Sequence, residues 1–145
     1  MNKESYNINS PNETIFTFIS KGSLGEINKA VVFQEIEENV YNLVLLDYDS
    51  ITDKWSDDNV SNNGDMTKVL STVTYIINTF LESKPNAQIY IEANSTSRNK
   101  LYNRIFKNYF KDFETKIELK GFKNDEIKDY NYSEKFERFY LKLKS

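Results

Sequence analysis

The chain has 145 residues, 39% of them hydrophobic and 14% aromatic, with no Cys, no His and a formal net charge of −3. That length suits one domain able to bury a core, and twenty Phe and Tyr residues argue against a disordered chain. The missing residue types exclude a disulfide framework, a thiolate nucleophile, a Cys or His zinc site and a Ser-His-Asp triad.

Charge is unevenly spread. Residues 1–65 carry four Lys and twelve acids, a net of −8, whereas residues 66–145 carry a net of +5. No apolar run approaches the roughly 20 residues that span a bilayer, so no membrane partner is expected. Met1–Glu13 lacks the apolar stretch of a secretory signal, which makes the cytoplasm the default location.

In chain order, Met1–Glu13 reads as a loose polar lead-in. Thr14–Ile19 (TIFTFI) has the β-branched and aromatic composition of a strand. Lys21–Gly25 turns the chain, Ile27–Ile36 is a second strand and Val40–Tyr48 a third. The run Leu43–Leu46 predicts that this third strand is covered on both faces. Asp49–Asn63 is a polar loop whose acids surround Trp55, which can continue the sheet as a short hairpin arm. Its spacing lacks the central Gly and closing Glu of a calcium loop, so no metal is expected.

Asp65, after Gly64, is placed to cap a helix that runs to about Lys84 before Pro85. Met66, Val69, Leu70, Val73, Ile76, Ile77, Phe80 and Leu81 share one face of it. Gln88–Ala93 is the next strand. Ser95 or Thr96 then caps a second helix reaching roughly Lys111. On this helix Lys100, Arg104, Lys107 and Lys111 fall within about 60° of one another. Leu101, Tyr102, Ile105, Phe106, Tyr109 and Phe110 take the far side, and Arg98 points with them. Lys116–Phe122 and Lys135–Leu143 are the last strands, joined by a polar connection over Lys123–Ser133. The predicted fold is a single α+β domain over residues 1–145, with a mixed, mostly antiparallel sheet in the order βββ-α-β-α-ββ.

That order, with the stretch IEANSTSRNKLYNRIF, resembles the core of the GNAT acyltransferases without their first two helices. The resemblance implies acetyl-CoA as the cofactor, Tyr102 as a general acid and Ser61–Met66 as the pyrophosphate loop. Glu92 would serve as base. The loop itself carries one Gly, no Arg, and Asp65 where an anion would bind, so a cofactor-free protein is the first expectation. The pattern NNGD, STxxRxxLY, a Gly-ended strand and a closing aromatic strand also resembles a small bacterial family of uncharacterised domains. Asn62, Asn63, Gly64, Asp65, Ser95, Thr96, Arg98, Leu101, Tyr102 and Gly121 carry that match.

Three candidate sites follow. Arg98, Asp47 and Glu92 would meet near one sheet edge, either to hold an anion or as an internal salt bridge. Asn62, Asn63, Gly64 and Asp65 form either a ligand loop or a tight turn with a helix cap. The stripe Lys100, Arg104, Lys107 and Lys111 is a solvated face or a dock for an acidic protein partner. Nucleic acid fits it less well, because the aromatics of this helix are on its buried side. The expected role is a non-catalytic ligand- or partner-binding module, with a coenzyme A-dependent N-acyltransferase and a basic-helix interaction protein as alternatives.

Overall fold

A computed structural model describes residues 4–57, 63–93, 95–113 and 116–144. Five strands open the chain: β1 (Asn9–Asn12), β2 (Ile15–Gly22), β3 (Gly25–Glu37), β4 (Val40–Asp49) and β5 (Lys54–Ser56). Helix α1 (Met66–Ser83), strand β6 (Gln88–Glu92) and helix α2 (Thr96–Phe113) follow. Three strands close it: β7 (Ile117–Lys123), β8 (Glu126–Asp129) and β9 (Arg138–Leu143). The fold is α+β, with one mixed sheet in the order β1-β2-β3-β4-β6-β9-β7-β8 and β5 paired to β4. Among the described residues every strand pairing is antiparallel except β4 with β6.

The helices form because their apolar positions repeat with the helical period, and both pack on one face of the sheet. Phe80 of α1 stacks on Phe33, with ring centroids 3.8 Å apart, and meets Tyr41 edge-on at 5.0 Å. Phe106 of α2 lies 4.5 Å from Phe139. Strand alternation then sorts the residues: Tyr41, Leu43, Leu45, Ile89, Ile91, Phe139 and Leu141 are buried under the helices. On the opposite face Val44, Leu46 and Tyr48 are half-buried. The apolar run in β4 therefore does not lie between two helical layers, which corrects the expectation of cover on both faces.

Two further segments depart from expectation. Residues 4–13 of the lead-in are not loose, because β1 pairs with β2. The Tyr6 N–H donates to Thr72 Oγ1 at 2.9 Å, and its ring stacks 5.9 Å from Phe18. Polar side chains reaching specific partners escape a reading based on apolar periodicity. The connection after β7 is also not plain loop: Glu126–Asp129 folds back on β7 through a turn at Asn124 and Asp125, both at positive φ. Trp55 does extend the sheet, 5.3 Å from Tyr48. The Phe110 side chain lies outside the described ones.

Phe80 is fully buried between Phe33 and Tyr41. Phe80→Ala is expected to cost about 3–5 kcal/mol in urea unfolding, the usual range for a deleted buried Phe.

Candidate functional site

The parallel pair fixes where a site can form. β4 and β6 are paired through Val40–Asn42 and Gln88–Tyr90 and then part. Further along β4, Asp47 is paired with Lys29 of β3 and with Ser56 of β5. β5 must therefore lie on the same edge of β4 as β6. Between them the edge at Leu43–Leu46 has no strand partner on that side among the described residues. Diverging carboxyl ends of parallel strands are where α/β sheets commonly hold ligands.

Here α2 fills that crevice. Tyr102 is 4% exposed and makes a backbone hydrogen bond with Leu45. Burial pushes its hydroxyl up to about 12, against the lowering pull of the Arg98 guanidinium and of Leu45. One turn earlier, Arg98 is 1% exposed, the bulkiest of the fully buried side chains. Its Nε donates to the Asp57 carbonyl at 3.0 Å and its Nη2 to the Ser56 carbonyl at 3.4 Å. Nη2 also lies 3.7 Å from Asp47 Oδ1, which accepts from buried Lys29 Nζ at 2.8 Å. Nη1 has no hydrogen-bond partner among the described residues. Ser95 starts the helix, its Oγ accepting from the Arg98 N–H at 3.2 Å.

Arg98 and Asp47 thus meet, but Glu92 does not join them. It projects from the opposite face of β6, where its carboxylate accepts from Arg138 Nε and from the Tyr90 hydroxyl, each at 2.8 Å. Tyr102 lies among the helix-covered residues, and Glu92 is on the opposite face of the sheet. Lys29 was missed as a member of the cluster. It shares its strand phase with Val31 and Phe33, so a Lys in a core-facing position was the available signal.

The loop before α1 is built for holding the chain together. Asn62 lies outside the described residues. Asn63 is 1% exposed and uses its whole amide. Its Oδ1 accepts from the Leu24 N–H at 2.6 Å, and its Nδ2 donates to Ser20 Oγ at 3.1 Å and to the Gly25 carbonyl at 2.9 Å. Gly22 permits this approach, since a Cβ there would sit 1.8 Å from the Asn63 carbonyl oxygen. Gly64 takes a φ of +80°.

Asp65 occupies the cap position, but its carboxylate makes no cap hydrogen bond. It accepts instead from the Tyr6 hydroxyl at 2.5 Å and the Ser20 hydroxyl at 2.6 Å. Tyr6 of the lead-in and Ser20 of β2 take up the carboxylate, and this corrects the side-chain cap expected from sequence. A concavity of about 440 Å³ beside it is lined by Gly64–Lys68 and Arg104.

The stripe residues Lys100, Arg104, Lys107 and Lys111 are all exposed along α2. Among the described residues no group of acidic side chains could hold a metal ion. No described helix is long and apolar enough to cross a membrane.

A family profile matches residues 2–144. The chain belongs to DUF6934, a family of unknown function. No curated protein and no solved structure matches it. The geometry alone therefore carries the functional argument for this DUF6934 chain.

Removing Arg98 takes its donors from the Ser56 and Asp57 carbonyls and its large side chain from the interior, while Asp47 keeps Lys29. Arg98→Ala is expected to cost about 3–5 kcal/mol, whereas Lys100→Ala stays within about 0.5 kcal/mol. Urea unfolding of the two variants side by side measures both.

Proposed function

We propose that this chain is a non-catalytic, ligand- or partner-binding module of the cytoplasm built on a GNAT-like sheet. The strand order and the single parallel pair β4·β6 support the GNAT-like reading. The observation that carries the non-catalytic reading is the filled crevice. Tyr102 takes a hydrogen bond of the β4 backbone that a ligand would otherwise use. Arg98 occupies the space beside it with three contacts of its own.

The competing reading, a coenzyme A-dependent N-acyltransferase, needs an acid and a base converging on one acceptor. Tyr102 is buried, its hydroxyl is held protonated up to about 12, and Glu92 is bound to Arg138 across the sheet. Asp65 adds a carboxylate at the start of α1, where a pyrophosphate would need positive charge.

Thermal unfolding with acetyl-CoA, coenzyme A or inorganic phosphate tests the proposal. The expected result is an unchanged midpoint with each. A ligand at about 100 times its dissociation constant adds about 2.7 kcal/mol, a rise of several degrees for this size. Such a rise with acetyl-CoA alone would overturn the non-catalytic reading.

A further inference from the structure

Four cations in a row on α2 make no ion pair among the described residues. Lys100, Arg104, Lys107 and Lys111 span about 16 Å of helix at 1.5 Å per residue. On the closing strands, by contrast, Lys120, Lys123, Lys128, Arg138 and Lys142 each have a carboxylate within 4.0 Å. Four exposed cations on one helix face make a local concentration of positive charge on a chain of net charge −3.

The row borders a groove. The connection between β8 and β9 runs alongside α2 and encloses about 280 Å³ with Lys100, Arg104 and Lys107. Its walls are fixed. Asn103 Nδ2 donates to the Phe136 carbonyl at 2.9 Å, and Asn103 Oδ1 accepts from the Phe136 N–H at 2.8 Å. Asn99 Nδ2 reaches the same carbonyl at 3.1 Å. The connection adds Lys135 and an aromatic ring, Tyr132, that is 64% exposed. Glu134, the one acid in the lining, is drawn away by Lys128 at 2.7 Å and Lys123 at 3.5 Å.

We infer that this groove docks an acidic segment of a partner polypeptide, with carboxylates along the α2 row and an apolar or aromatic side chain against Tyr132. The inference rests on the binding-module reading and names its partner by chemistry. Carboxylates at the same four–three–four spacing on a facing helix would pair with the cations, as oppositely charged rows do between paired helices. Single-stranded nucleic acid fits less well. Stacking successive bases needs several exposed rings, and this groove offers one, while Tyr102, Phe106 and Tyr109 of α2 are buried.

Fluorescence anisotropy on the full chain tests this with two labelled probes: a helical peptide with Glu at four–three–four spacing around a central Leu, and an oligothymidine of similar charge. The peptide is expected to bind at about 0.05 M salt and to weaken at least about tenfold at about 0.3 M, because the contacts are exposed charges. The triple reversal K100E/R104E/K107E is expected to abolish binding while keeping the melting midpoint within a few degrees, since all three side chains are exposed. Tyr132→Ala is expected to weaken the peptide several-fold and leave the oligothymidine unchanged. The inference is overturned if neither probe binds, if the reversed-charge variant binds the peptide as the native chain does, or if oligothymidine binds more tightly than the peptide. None of these outcomes bears on the filled crevice, and acetyl-CoA binding would overturn the crevice reading without changing the peptide result.

Discussion

The structure depends on one buried cation. Arg98 carries its guanidinium into the interior, where it must be met by oxygen atoms. Asp47 from β4 and the Ser56 and Asp57 carbonyls supply them. Those groups come from two stretches of chain, β4 and the end of β5, and satisfying Arg98 therefore fixes α2 against the parted edge of β4. Lys29 shares Asp47, which makes the cluster two cations around one carboxylate.

Everything near the crevice follows from that docking. With Arg98 seated, the next turn of α2 brings Tyr102 to Leu45, and the turns after it bring Phe106 to Phe139 and the Tyr109 hydroxyl to the Thr67 carbonyl at 3.0 Å. The last contact ties α2 to α1. The same rotation that buries these residues forces Lys100, Arg104, Lys107 and Lys111 outward, because the two sets are on opposite sides of one helix. A closed crevice and an exposed basic row are two sides of a single packing decision.

Periodicity made the two helices, the sheet's main strands and the basic row legible from sequence, since each rests on spacing alone. The phase of Arg98 against Leu101, Tyr102 and Ile105 correctly placed it in the interior. What stayed hidden were partners set by polar atoms across the fold. Asp65 reads as a cap because nothing nearby in sequence reveals Tyr6, 59 residues away, as its donor. Glu92 reads as a neighbour of Arg98 because strand ends suggest proximity, while the face of the strand decides it. β8 is too short and too polar for an alternation signal, and only its pairing with β7 defines it. Tyr132 sits in what reads as bare connection, so the ring beside the basic row was out of sight.

Tyr102 closes the crevice between β4 and β6. Following the Tyr102 ring-carbon NMR signal against pH, assigned by its loss in Tyr102→Phe, measures that closure directly. A hydroxyl shut in by burial should keep its proton until about 12 or until the chain unfolds. A Tyr102 that titrates near 10 in the folded chain, as a solvated tyrosine does, would mean an open crevice and would contradict the account.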